Sequence, residues 1–186
     1  MPKLDIVRLG HPALRTPAHS VPEAEIGSDE IQRLVDDLVE TMREVGSLGL
    51  SAPQVGIGSQ LFVYEIRDEA AVPSEPVALR VVINPMIVAV PGRLVYDWEG
   101  CSSSLDLRGL VPRHPSVRVR GLDRQGEALD YTAGGLEARI IQHEYDHLNG
   151  MVFLDRMRDL RSLAFSEEWA RYLCAEGEEM DYSAVG

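Results

Sequence analysis

Gln142-His143-Glu144-Tyr145-Asp146-His147 places two imidazoles and two carboxylates in six consecutive residues, inside a segment whose pattern is otherwise helical. Side chains four apart on a helix stand above one another, about 5–6 Å apart at Cβ, so His143 and His147 can close on one ion. Glu144 lies one residue round from His143. That makes it a poor third ligand but sets it beside a metal-bound water, whose proton it can take. This is the H-E-x-x-H pattern, usually read as metal-assisted hydrolysis, and its bland alternative is a helix with two surface histidines. A third ligand decides between them.

The sequence around this helix sets the fold class. Ser116–Leu122 alternates Val117 and Val119 with Arg118 and Arg120, Asp123–Gly126 turns, and Glu127–Thr132 returns, which predicts a hairpin feeding the helix. Gly134-Gly135 frees the chain to start the helix, and Asn149-Gly150 ends it after about Leu148. Upstream, Leu61–Ile66, Leu79–Ile83, Met86–Val90 and Arg93–Trp98 read as strands of an antiparallel meander, with turns at Asn84-Pro85 and Pro91-Gly92. Asp68–Pro76, rich in acid, Ala and Pro, reads as an exposed excursion.

A first helix is predicted from Ser28, an N-cap followed by Asp29 and Glu30, through the helically spaced Ile31, Leu34, Val35, Leu38, Val39, Met42 and Val45. Gly46 stops it. Before it, prolines at 2, 12, 17 and 22 forbid a long helix and leave an irregular arm with a short strand at Asp5–Val7. Beyond the metal helix, Val152–Leu154 reads as a strand. Ser166 reads as the cap of a last helix that holds Leu163, Phe165, Trp169, Tyr172 and Leu173 near the core. The class expected is α+β, antiparallel strands packed around a central metal-binding helix. A length of 186 residues with 45% hydrophobic content predicts a single domain over 1–186, with an acidic tail from about residue 175.

A formal net charge of −12 argues against nucleic acid as a partner, since a surface that tracks phosphates needs clustered Lys and Arg. No stretch approaches the roughly 20 apolar residues of a membrane span, and Met1–Arg8 has no apolar run of signal-peptide length. A soluble, intracellular chain with no membrane partner is expected. Two cysteines, Cys101 and Cys174, make no disulfide framework, so a cysteine here packs, reacts or binds metal.

Three sources of the third ligand compete. In the metzincin pattern a histidine would stand where Phe153 is, so that option fails. A thermolysin-like layout takes a glutamate from a later helix, and Glu167 follows His147 at about the required distance. Cys101, in Trp98-Glu99-Gly100-Cys101-Ser102-Ser103-Ser104, offers a thiolate at a strand end, with Gly100 allowing a sharp backbone turn.

Gly49-Leu50-Ser51-Ala52-Pro53-Gln54, Glu99-Gly100-Cys101-Ser102-Ser103 and Gln142-His143-Glu144-Tyr145-Asp146-His147-Leu148 together resemble, in order, the three motifs of peptide deformylases. Gly10-His11-Pro12-Ala13-Leu14-Arg15 and the run from Arg108 to Arg113 resemble further features of that family. The resemblance implies a deformylase-like fold and removal of the formyl group from N-formylmethionyl nascent peptides, with release of formate. It implies Cys101, His143 and His147 as metal ligands and Glu144 as acid and base. Gln54, through its amide, and Ser102, through its backbone N–H, would form the oxyanion site. Ferrous iron is the implied metal, with Zn2+, Ni2+ or Co2+ able to substitute.

Substrate recognition is expected through the backbone of Gly49 and Leu50, which pairs with an extended peptide, and through Ile140, which lines an apolar pocket for methionine. Glu99, Asp146, Arg108 and Arg113 are candidates to orient the ligands, with Asp146 and Arg113 as a buried pair. The family usually carries glycine at Ser47, alanine at Ser51, leucine at Ser102 and often proline at Leu105. Serine at 47 gives up glycine's freedom for positive φ. A nascent-chain substrate suggests contact with the ribosome. The bacterial cytosol is the expected compartment, although Ala138-Arg139-Ile140-Ile141 also resembles organellar members. Two rival classes stand beside this reading: a metallopeptidase using Glu167, and a structural metal-binding module closed by four protein ligands.

Overall fold

β2, Leu61–Ile66, is buried along its whole length, because a helix covers each of its faces. Leu61 and Val63 point to one side, where they join Leu34, Val35, Leu38 and Met42 of α1 (Asp29–Glu44). Phe62, Tyr64 and Ile66 point to the other, where they meet Ala138, Ile140 and Ile141 of α2 (Gly135–Leu148). A strand clad on both sides reads as a nearly continuous apolar run, and here only Glu65 interrupts it. Truncating a fully buried Phe62 to alanine would cost about 3–5 kcal/mol.

The structure is a computed structural model that describes residues 4–67 and 75–174. Its larger sheet is antiparallel, with order β1 (Gly49–Ser51), β2, β3 (Val77–Ala89), β6 (Ser116–Leu122) and β7 (Ala128–Gly134). A smaller sheet has order β4 (Val95–Glu99), β5 (Leu107–Arg113) and β8 (Ala164–Phe165). The α+β class therefore holds, with α2 central. Ser28 caps α1 by accepting the Ile31 N–H at 3.3 Å, and the predicted apolar row is buried except Val45, which is exposed at the helix end.

Several expected elements take other forms. Asn84-Pro85 is not a turn. Asn84 adopts φ 50 within one continuous β3, and the register with β6 shifts between Ile83 and Met86. The Asn84 amide holds this bulge by exchanging two 2.8 Å hydrogen bonds with the Val21 backbone. Asparagine tolerates the left-handed region and a bulge tolerates proline's missing N–H, so the strand survives both. β4 leaves the expected meander to pair with β5, a strand hidden in the sequence by Pro112 and its flanking arginines.

Asp5–Val7 joins no sheet. Instead Val7 N–H donates to Gln54 O at 2.9 Å and Leu9 N–H to Ser103 O at 2.8 Å, so the arm ties two of the three motif segments together. Val152–Leu154 is no strand either; Phe153–Arg156 forms a 3-10 turn that buries Phe153. The last helix is one α-turn, Ser166–Glu168, continuing as π-helix over Trp169–Leu173. Phe165 precedes the helix in the cap position, and both it and Tyr172 are exposed rather than core. Trp169 docks edge-on to Trp98 at 6.1 Å, and Leu163 and Leu173 are half-buried. Most of the Asp68–Pro76 excursion and the acidic tail from about residue 175 lie outside the described residues.

Candidate metal centre

α2 lies against β1 and the larger sheet, which buries His143, Glu144, Asp146 and His147 of its last two turns. β4 ends at Glu99, and two residues later the chain delivers Cys101 to the same place. Ligand atoms of Cys101, His143 and His147 lie within 4.8 Å of one another, the single such His/Cys/acid cluster among the described residues. Cys101 Sγ is 3.3 Å from His147 Nε2. Burial pushes the thiol up, but the His147 and His143 imidazoles outweigh it and hold Cys101 well below the usual thiol range. A thiolate and two imidazoles facing inward, with no fourth ligand joining the cluster among the described residues, suit a divalent ion with an open coordination position.

Glu99 organises the other side. His143 Nδ1 donates to Glu99 Oε2 at 2.9 Å, which leaves Nε2 as the ring atom able to hold an ion. Arg113 binds the same carboxylate in a fork, Nε to Oε1 and Nη2 to Oε2, each at 2.9 Å. Arg139 Nη1 adds 2.8 Å to Oε1 and also clamps the Val111 carbonyl at 2.9 Å. Burial would push Glu99 up, yet the hydrogen bonds from Arg113 and His143 hold it well below the carboxylate range. Asp146 is the expected partner of Arg113, at 2.6 Å, and both are buried. Arg139 has no assigned role in the sequence reading, yet it lies one turn before His143 on the same side of α2. That spacing was the available signal. Phe153, the residue that fails the metzincin pattern, stacks on the His143 ring at 6.4 Å.

Gln54 sits opposite, in the 3-10 turn Ala52–Val55 that follows β1. Ser51 N–H and Oγ both donate to Gln54 Oε1 at 2.8 Å, so the amide turns its N–H2 toward Cys101, with Nε2 3.5 Å from Sγ. Glu144 is buried beneath Gly49: a Cβ at Gly49 would stand 2.6 Å from Glu144 Oε1, so only glycine lets β1 cross there. Burial pushes the Glu144 carboxyl up, and its Oε2 has no partner among the described residues. A buried acceptor raised toward neutrality and left open is suited to proton transfer. Ser102 opens a one-turn 3-10 segment, Ser102–Ser104, whose first N–H has no acceptor inside the turn.

These groups share a cleft of about 730 Å3 with Ser47, Leu48, Gly49 and Ile140. The structure thus brings Cys101, His143, Glu144, Gln54, Ser102, Gly49 and Ile140 to one cavity, with His147 fully buried behind Cys101 and His143 and Leu50 fully buried in the α1 core. Glu167 is elsewhere: its side chain is 79% exposed and paired with Arg171 at 3.2 Å, which removes the thermolysin-like layout. Gly100 does not make a left-handed turn. Its smallness is steric, because a Cβ would fall 1.7 Å from the Arg108 guanidinium. Ser47 likewise needs no positive φ, and its hydroxyl donates to Gly49 O at 2.7 Å, tightening the cleft wall. Leu105 has φ 48, which proline cannot adopt, so this turn follows its own path.

Residues 3–162 match the model of the family described as polypeptide deformylase. Peptide deformylase 2 of Pseudomonas putida is 41% identical over 164 residues, 88% of this chain and 92% of its own. The mitochondrial peptide deformylase of Homo sapiens is 41% identical over 162 residues, 82% of this chain and 67% of its own. Among solved structures, a Met-Ala-Ser-bound class I type b peptide deformylase from Acinetobacter baumannii superposes with TM-score 0.80 at 32% identity, covering 84% of this chain and 99% of that one.

Proposed function

This chain belongs to the peptide deformylase family, metal-dependent hydrolases that remove the formyl group from N-terminal methionine, and we propose that its cleft carries out that reaction with the residues described above. The observation that carries the assignment is the convergence of Cys101, His143 and His147 beside a buried, open Glu144. Those three side chains would hold a dication, for which we propose ferrous iron, with zinc, nickel or cobalt as substitutes. The ion would supply Lewis acidity, which makes water a nucleophile near neutral pH and polarises the formyl carbonyl.

Glu144 takes the proton of the attacking water and returns it to the departing amine nitrogen, a double duty that suits a carboxyl raised by burial. The Gln54 amide and the Ser102 N–H donate to the carbonyl oxygen as it gains charge, and Ser51 fixes the amide beforehand so that no reorganisation is needed. Glu99 keeps His143 in the tautomer that presents Nε2. The peptide lies along the backbone of Gly49 and Leu50, whose main chain contributes hydrogen bonds while the Leu50 side chain serves the core. Ile140 meets the methionine side chain. A peptide partner accords with the Met-Ala-Ser complex of the Acinetobacter relative. No described helix is long and apolar enough to cross a membrane. We place the enzyme in the bacterial cytosol, acting on nascent chains at the ribosome.

Formate release from a formyl-Met peptide, with metal analysis of the same sample, tests this. Glu144→Gln should keep the metal and lose formate. A structural metal module would show neither release nor sensitivity to that change.

A further inference from the structure

We propose that Leu105 is a specificity-determining residue, selecting apolar side chains just after the formylated methionine; this rests on the deformylase reading. Leu105 holds φ 48 and ψ −126, the backbone of the first central residue in a II′ turn, a position dominated by glycine because any Cβ is crowded there. Such conformations persist only where the surroundings impose them, and they gather at functional sites. The surroundings here are explicit. Ser104 bonds the Cys101 carbonyl through both N–H, at 3.0 Å, and hydroxyl, at 3.1 Å. Leu107 N–H bonds Leu105 O at 2.8 Å, Ser166 N–H bonds Asp106 O, and Leu9 N–H bonds Ser103 O at 2.8 Å.

Core packing does not explain why a leucine occupies so crowded a backbone, since the side chain is 49% exposed. It lines the same cleft as the candidate metal ligand four residues before it. One wall of that cleft is Leu48 and Gly49 at β1; another is the segment from Gly100 to Arg108 that contains the turn. A peptide extended along β1 from the metal outward must carry its next side chains past the second wall. There the pinned turn presents an aliphatic surface that is already ordered, so contact costs no further loop ordering.

The test uses two series, formyl-Met-Xaa-Ser and formyl-Met-Ser-Xaa, with Xaa leucine or glycine, and reads kcat/KM from formate release by the metal-loaded enzyme. Wild type should favour leucine over glycine in one series by about tenfold, the low end of what an apolar contact discriminates. Leu105→Ala should collapse that ratio, whereas Leu160→Ala, an exposed leucine outside the cleft, should keep it. Leu105→Gly should also lose the preference while raising the urea midpoint, because glycine relieves the backbone. An unchanged ratio in Leu105→Ala, or a lower midpoint in Leu105→Gly, overturns the proposal. Absence of formate release by wild type instead overturns the deformylase reading itself.

Discussion

Replacing Glu99 by glutamine should release the metal and destabilise the fold at once, and the geometry says why a near-isosteric change is so disruptive. Glu99 Oε1 accepts from Arg113 Nε and Arg139 Nη1, while Oε2 accepts from Arg113 Nη2 and His143 Nδ1. Glutamine has a single acceptor oxygen, so in either orientation its N–H2 confronts two of these donors. Turned toward His143, it forces that ring to accept at Nδ1 and carry its proton on Nε2, the atom needed by the ion. Turned the other way, it faces two guanidinium groups. Arg113 keeps Asp146, but one carboxylate of a buried cluster is gone, and breaking a buried pair typically costs about 3–5 kcal/mol. Loss of a ligand-orienting partner lowers metal affinity by about 10–100-fold. Urea unfolding with and without chelator, and competition for the metal by a coloured chelator, measure the two effects. A Glu99→Gln protein within about 1 kcal/mol of wild type and with wild-type metal affinity would refute the account of Glu99 as the hub.

Gln54→Ala should lower kcat by about 10²–10³ with metal content and KM little changed, because its amide acts on charge that develops in the transition state; a KM-only effect would count against that role. Cys101→Ala should strip the ion while Glu167→Ala leaves it in place, by metal analysis of the purified proteins. Glu65 is held below the carboxylate range by its hydrogen bonds from Arg43, against burial, so it adds stability above about pH 4 that is lost as pH falls through its folded value. Arg43→Ala should therefore be less stable than wild type at neutral pH, with the gap closing as pH falls through the folded value of Glu65; a gap that stays constant until acid unfolds the protein would contradict the pairing. An iron-loaded sample should inactivate in air faster than a nickel-loaded one, since thiolate and ferrous ion both oxidise; equal lifetimes would argue against iron as the working metal.

The buried carboxylates also explain how the site is built from protein contacts alone. Glu99 and Asp146 share Arg113, and Arg156 adds 2.6 Å to Asp146 from outside. Buried charges left unpaired are costly, so this network fixes β4, β5 and α2 relative to one another only when every member is present. The position of Cys101 relative to the histidines is thus set by charges outside the candidate ligand cluster.

Local pattern determined much of this protein. The α1 row from Ile31 to Met42, the alternation of Val117 and Val119, and the H-E-x-x-H spacing are periodic signals carried by neighbours a few residues apart. What tertiary structure alone decided is long-range. β5 is concealed by Pro112 and its arginines, and becomes a strand by pairing with β4 on one side and β8 on the other. Leu50 reads as cleft backbone in sequence, yet its side chain is drawn into the α1 core. Arg139 looks like any helix-surface cation until Glu99, forty residues earlier, is folded against it. Periodicity reports which way a side chain faces along its own element, whereas a buried charge is stable only beside a partner brought from elsewhere in the chain, and that partner is fixed by packing.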